Sequence, residues 1–234
     1  MSGYSTRDDR LRELMDDPDC DPVRLRRTLE RFRMVNRLVS GWGAVYRSRI
    51  RPRARAHRTL SILDIGCGGG DVLGRLVALA RRDGIAVRGL GIDPDERALA
   101  VARRREEGGL TFRRAFAREL VANGERFDVV LSNHVLHHLD EPALAGFLRD
   151  SADLARGPAG GIVLHSDIAR SRRAAVAYAI GITPLAPGSF LRTDGLRSIR
   201  RSWTPDELTA RLPDGWRVER PAAFRLLAVH GGTP

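Results

Sequence analysis

From Thr59 onward the chain alternates short apolar runs with stretches of helical spacing, and this limits the fold more than any other feature. Residues 60–65, 87–92, 110–116, 127–132 and 161–165 read as strands, while 72–82, 94–105 and 143–155 carry the three- and four-residue spacing of helices. Strands separated by helices at this interval cannot close as tight hairpins. They form a parallel sheet with helices on both faces. The last two apolar runs, 216–219 and 224–230, lie close enough in sequence to pair antiparallel instead.

Ahead of this region Leu25, Leu29, Phe32, Val35, Leu38 and Val39 form one apolar stripe. Ser40-Gly41-Trp42-Gly43 interrupts it, so two shorter helices are expected within 23–50, followed by a basic linker over 51–58. Residues 1–58 therefore read as a helical cap and 59–234 as the main α/β domain. Within that domain 166–202 is too long for a plain connection. It holds an apolar helical run at 174–182 and then Pro184, Pro187 and Gly188, as expected of a lid over the cleft. Thr204 with Glu207 three residues on reads as a helix start.

Composition removes other classes. At 42% hydrophobic and 29% charged over 234 residues, the chain is neither low-complexity nor disordered. No apolar run reaches the length of a membrane span, and the first residues lack the apolar core of a secretory signal, so a cytoplasmic protein without membrane contact is expected. Cys20 and Cys67 make neither a disulfide framework nor a zinc spacing, and no metal is expected. The net charge of +11 rests entirely on Arg, since all 40 basic residues are Arg. Their scatter over the helices reads as a bias toward GC-rich codons rather than a phosphate-binding face, so no nucleic-acid partner is expected.

Ligands of an open parallel sheet bind beyond the carboxyl ends of its strands. The first strand is followed by Gly66, Gly68 and Gly70, which permit positive φ and close approach of a ligand to the backbone. The second ends in Asp93-Pro94, where a carboxylate can accept from two ribose hydroxyls. The dinucleotide pattern G-x-G-x-x-G differs from this loop, and Asp64 directly ahead of it would repel a pyrophosphate but suit a cationic ligand. Asp71 reads as a charge favoured by the helix N-terminus, and Cys67 as a buried loop residue.

Taken together and in register, LDIGCGGGD (63–71), GIDPDERAL (91–99), FDVVLSNHVLHHLDEP (127–142) and RGPAGGIVL (156–164) resemble the class I S-adenosylmethionine-dependent methyltransferases. The resemblance implies a Rossmann-like seven-stranded sheet, S-adenosylmethionine as cofactor and S-adenosylhomocysteine as product. It places Asp64 and the backbone of Gly66, Gly68 and Gly70 along the methionine and ribose, Asp93 and Pro94 at the ribose, and Asn133 near the methionine end. The acid usual after strand three is replaced by Phe116. That leaves the Ala117 N–H and the Phe116 ring to serve adenine.

Deprotonation of a phenol or ring carbon is helped by a base of near-neutral pKa. His134, just past strand four, is the candidate; His138 is expected to have a structural or substrate role, and His137 to lie in solvent or at the pocket rim. Asp167, Arg192, Asp194 and Arg201 are polar candidates around the acceptor. A looser likeness of residues 15–45 and 190–208 to small-molecule methyltransferases of bacterial aromatic-polyketide pathways implies a small phenolic or quinoid acceptor, methylated on oxygen or carbon. A homodimer is admitted as an assembly. RNA methylation, a non-catalytic cofactor-binding protein and a dinucleotide oxidoreductase are the alternatives.

Overall fold

The computed structural model describes residues 3–54, 58–156 and 160–232. A seven-stranded sheet runs in the order β3-β2-β1-β4-β5-β7-β6. Strands β1 (Leu60–Ile65), β2 (Val87–Asp93), β3 (Leu110–Arg114), β4 (Val129–Asn133) and β5 (Ile162–Ile168) are parallel. The strand β7 (Arg225–His230) lies antiparallel between β5 and β6 (Trp216–Glu219). The order reverses beside β1, so the crevice between the carboxyl ends of β1 and β4 is where a ligand fits.

Period-two alternation along the strands builds two cores. Ile62, Val129, Leu131 and Leu164 face α3 (Asp71–Arg82) and the cap, while Leu63, Val130 and Val163 face the side of α5 (Ala117–Ala122) and α6 (Glu141–Leu154). The parallel strands are thus covered on both sides, and β1 is buried at every position. Edge strand β3 alternates buried and exposed.

The cap begins with α1 (Pro22–Val39). Pro22 sits where a missing N–H is tolerated, and Asp21 accepts from the N–H groups of Val23 and Arg24. Gly41, at φ 72°, breaks the chain before the short α2 (Trp42–Val45). A π turn over Tyr46–Ile50 and a 3-10 turn over Arg51–Arg53 follow, so the expected linker is helical at its start; residues 55–57 lie outside the described residues. Leu25 and Leu29 pack on Ala98, Val101 and Phe190, which seats the cap on α4 (Glu96–Ala102) and on the lid; the side chains of Leu38 and Val39 are not among those described.

Several boundaries depart from the sequence reading. The helix expected from Pro94 starts at Glu96, because Asp95 caps it by accepting from Arg97 N–H. Phe116 lies beyond β3, and α5 follows at once where no helix was expected. Strand β5 runs three residues further than expected, to Ile168, because β7 pairs with it through Ile168↔Arg225. The segment expected as a lid is built of α7 (Arg172–Gly181), a 3-10 turn and the unforeseen α8 (Leu191–Arg201). Residues 157–159 of the fourth motif lie outside the described residues.

Ahead of α9 (Pro205–Thr209), Thr204 accepts from Glu207 N–H and Glu207 accepts from Thr204 N–H, forming the expected reciprocal cap. Thr204→Ala should lower stability by about 1 kcal/mol, read as a shift of the urea midpoint at unchanged slope. Among the described residues no helix is long and apolar enough to cross a membrane.

Candidate active site

The loop after β1 turns at Gly66, Gly68 and Gly70, whose φ angles are 69°, 52° and 72°. A Cβ on Gly66 would stand 2.7 Å from Val135 Cγ2 and one on Gly70 2.5 Å from the Phe112 ring, so packing as well as backbone conformation requires those two glycines. Over Gly68 no atom lies within 4 Å of the Cβ position, leaving open space above the loop.

Asp93 holds the loop in shape. Its Oδ2 accepts from Gly68 N–H and its Oδ1 from Asp95 N–H, each at 2.9 Å. Asp71, first residue of α3, accepts from Asn36 Nδ2 of the cap at 3.0 Å. Asp64 is buried, and among the described residues its Oδ1 has no hydrogen-bond partner. Burial pushes Asp64 well above the ordinary carboxylate range, and the charges of Asp71 and Asp93 push it further. Burial raises Asp71 and Asp93 as well. Three crowded carboxylates, one with an orphaned oxygen, are relieved by a cation and made worse by a phosphate. The cradle therefore fits a positively charged ligand.

At the neighbouring edge Phe116 is 48% exposed, with the Arg118 guanidinium 4.7 Å from its ring centroid. Its N–H donates to Glu119, and Ala117 behind it is buried. The Pro94 carbonyl accepts from Arg114 Nε, which ties the β2 and β3 ends together.

A second cluster lies at the ends of β4, β5 and β7. The Oδ1 of Asn133 accepts from Trp42 Nε1 at 3.0 Å and from Arg225 Nη2 at 3.1 Å, while its Nδ2 donates to Asn36 Oδ1. The amide thus pins the cap to the sheet. His134 follows in the left-handed region at φ 61°, a strained place for a side chain of its size. Its N–H donates to Ser166 O, its Nδ1 lies 3.3 Å from Asp167 Oδ1, and its Nε2 accepts from Arg225 Nη1 at 3.1 Å. Its ring is one-third exposed. Burial lowers its pKa, with Arg225 adding to the effect and Asp167 opposing it.

His137 is neither in solvent nor at a rim. It is 1% exposed, with Nδ1 at 2.9 Å from Asp167 and Nε2 at 3.1 Å from Glu13. Against the cost of burial, the two carboxylates push its pKa up to about 10. The opposite effect holds Glu13 at about 2: burial raises it, but His137 and His138 outweigh that. Asp167 is likewise fully committed, accepting from the His137 and Ile168 N–H groups besides the ring. His138 is one-third exposed, 3.5 Å from Asp16 and 3.8 Å from Glu13.

The lid candidates do not converge on the cleft. Arg192 donates to Ala179 O and Thr183 Oγ1, tying α8 to the end of α7. Asp194 is buried and accepts from the Leu14 and Met15 N–H groups, and burial raises it to about 6. Arg201 reaches the His138 carbonyl and Asp16.

The N-terminal segment is a strap. Arg7 donates to the carbonyls of Arg201, His137 and Leu139, and Arg97 on α4 donates to those of Met15, Asp17 and Pro18. Glu13, Trp42 and Arg225 are site residues the sequence reading did not single out. Their partners stand 91 to 124 positions away, and no local spacing marks such pairs.

Residues 62–157 match a protein family described as a methyltransferase domain. That match spans under half of the chain and makes this region, which holds the glycine cradle, similar to a methyltransferase domain.

Among proteins similar to this chain, a ubiquinone biosynthesis O-methyltransferase of Dinoroseobacter shibae is 37% identical over 153 residues, covering 64% of this chain and 56% of that one. A ubiquinone biosynthesis O-methyltransferase of Cereibacter sphaeroides is 35% identical over 152 residues, with 64% and 56% covered. The chain spans about half the length of these curated relatives. The plantazolicin methyltransferase BpumL, solved in complex with SAH, superimposes with a TM-score of 0.55 at 13% identity, over 88% of this chain and 95% of its own, and shares the fold.

The cradle suits S-adenosylmethionine as a cofactor: among the described residues Asp64 Oδ1 has no hydrogen-bond partner, and the space over Gly68 is open. Two histidine–carboxylate groups, Glu13 with His137 and His138, and His134 with His137 and Asp167, bring ligating atoms within 4.8 Å of one another. Both ring nitrogens of His137 already face carboxylates, so a proton satisfies this arrangement without a metal. Two open concavities of about 410 and 390 Å³ lie at the amino ends of the strands, lined by Arg58, Arg88 and Arg126 among others, remote from all these groups.

Proposed function

We propose that this chain transfers a methyl group from S-adenosylmethionine to the oxygen of a small phenolic or quinoid acceptor. One observation carries the reading: an acidic glycine cradle and a carboxylate–imidazole pair, Asp167 with His134, stand at the carboxyl ends of adjacent strands of one sheet. The names of the relatives support oxygen as the methylated atom and a quinone-forming acceptor, and give no support to an aromatic-polyketide origin.

Asp64 and the Gly66–Gly70 backbone would hold the amino-acid end and the ribose, Asp93 the ribose hydroxyls, and the Phe116 ring with the Ala117 N–H the adenine. When bound, S-adenosylmethionine supplies a methyl group activated by a positively charged sulfur. The chain then has to position the acceptor oxygen, exclude water and hold the proton that oxygen loses. The structure offers His134 Nε2 for that proton, with Asp167 beside Nδ1 to steady the imidazolium. The strap, the cap and the lid exclude water.

His134→Ala is expected to lower kcat by about 10²–10⁴-fold while leaving S-adenosylhomocysteine affinity within about threefold. The assay follows labelled methyl transfer to a panel of catechols and hydroquinones. Full turnover by the variant removes His134 from the reaction, and absence of turnover by the wild type on every phenol removes the acceptor class.

A further inference from the structure

Arg225 is the one arginine of β7, and it turns inward. It is 5% exposed, yet it makes no direct carboxylate contact among the described residues. Its guanidinium donates to His134 Nε2, to Asn133 Oδ1 and to Ser166 Oγ, gathering the ends of β4 and β5, while its Nε is buried and without a partner. Burying a cation on such terms is costly. A residue chosen only to fill the interior beside Ile168 would be apolar.

The site it serves is itself strained. His134 holds a left-handed backbone and is fixed on three sides, by Ser166 O at its N–H, by Asp167 at Nδ1 and by Arg225 at Nε2. A guanidinium has only donors, so Nε2 must present its lone pair and the ring proton must sit on Nδ1, toward Asp167. The Arg225 N–H stands where the hydroxyl of an acceptor would have to approach the same lone pair.

We propose that Arg225 is a positioning residue that fixes His134 as its Nδ1–H tautomer and covers Nε2 until an acceptor hydroxyl displaces it. The acceptor part of this statement rests on the function proposed above; the hold on His134 does not. The charged and titratable groups facing His134 are Asp167 from β5, His137 from the turn after β4 and Arg225 from β7. Asp167 draws a proton onto the ring, whereas Arg225 and the protonated His137 repel one. Without Arg225 the balance tips toward Asp167.

The test is nitrogen-15 NMR of the histidine rings in the full chain, with pH–rate profiles alongside. In the wild type, His134 should show an unprotonated Nε2 and titrate below the ordinary imidazole range. In Arg225→Gln its midpoint should move upward, and kcat/KM should then fall about tenfold from pH 8 to pH 6 where the wild type stays nearly flat. Arg225→Lys, which restores a cation, should return most of the shift. A wild-type His134 protonated on Nε2, or titrating at or above the ordinary range, overturns the proposal, and that result needs no folded variant. An unmoved midpoint in a folded Arg225→Gln overturns it as well. Should the midpoint move while the acid limb of the rate stays in place, Arg225 still governs the ring, and it is the base role of His134 that fails.

Discussion

Asp167→Ala is expected to cost about 3–5 kcal/mol of stability, the typical result of stripping one partner from a buried ion pair. The residue is 1% exposed and serves His137, His134 and the Ile168 N–H at once. Its removal leaves a buried imidazolium with Glu13 alone. For a chain of this size the loss corresponds to roughly 6–20 °C in Tm, readable by calorimetry near pH 6. A variant within about 1 kcal/mol of the wild type shows that the cluster is not buried in solution.

The pH dependence gives the same cluster a signature. Glu13 is held at about 2 and Asp167 well below its usual value, so their contribution is present above the ordinary carboxylate range and is lost as pH falls through those depressed values. His137 is raised to about 10, so its contribution is complete below the ordinary imidazole value and disappears as pH rises toward 10. Stability from the cluster should therefore be greatest between the carboxylate and imidazole ranges. In Asp167→Ala the alkaline decline should flatten, because His137 loses the strongest of its charge partners. Equal alkaline slopes in the two proteins would remove His137 as their source.

Asp93→Ala should weaken S-adenosylhomocysteine binding by about 1–3 kcal/mol, roughly 5- to 150-fold. Two effects add. In the proposed reading the ribose loses its acceptor, and in the structure the glycine loop loses the bond from Gly68 N–H. Asp93→Asn is intermediate, since its single amide oxygen can still accept from Gly68 N–H or from Asp95 N–H but not from both, and it carries no charge. The expected order of affinity by isothermal titration is wild type, then Asn, then Ala. Affinity for the Ala variant within about twofold of the wild type takes the ribose away from Asp93.

Neighbour-to-neighbour chemistry carried much of this molecule into its sequence. Strand-and-helix alternation, the glycine turns, the Asp21 cap and the Thr204–Glu207 pair all act within a few residues, so periodicity and residue type display them. The acidic cradle was legible for the same reason: Asp64, Gly66, Gly68 and Gly70 occupy one turn of chain, and Asp93 ends the adjacent strand. The wide misses, α5 and α8, are helices whose apolar faces are defined by what packs on them.

Only the tertiary structure decided what the histidines do. Three of them within five residues look alike on paper, yet one is clamped in the left-handed region, one is buried between Glu13 and Asp167, and one is left one-third exposed. Those differences come from β5, β7 and the strap, elements far away in the chain. A buried charge takes its protonation state from whichever groups the fold brings within a few ångströms, and a one-dimensional pattern holds no record of that distance.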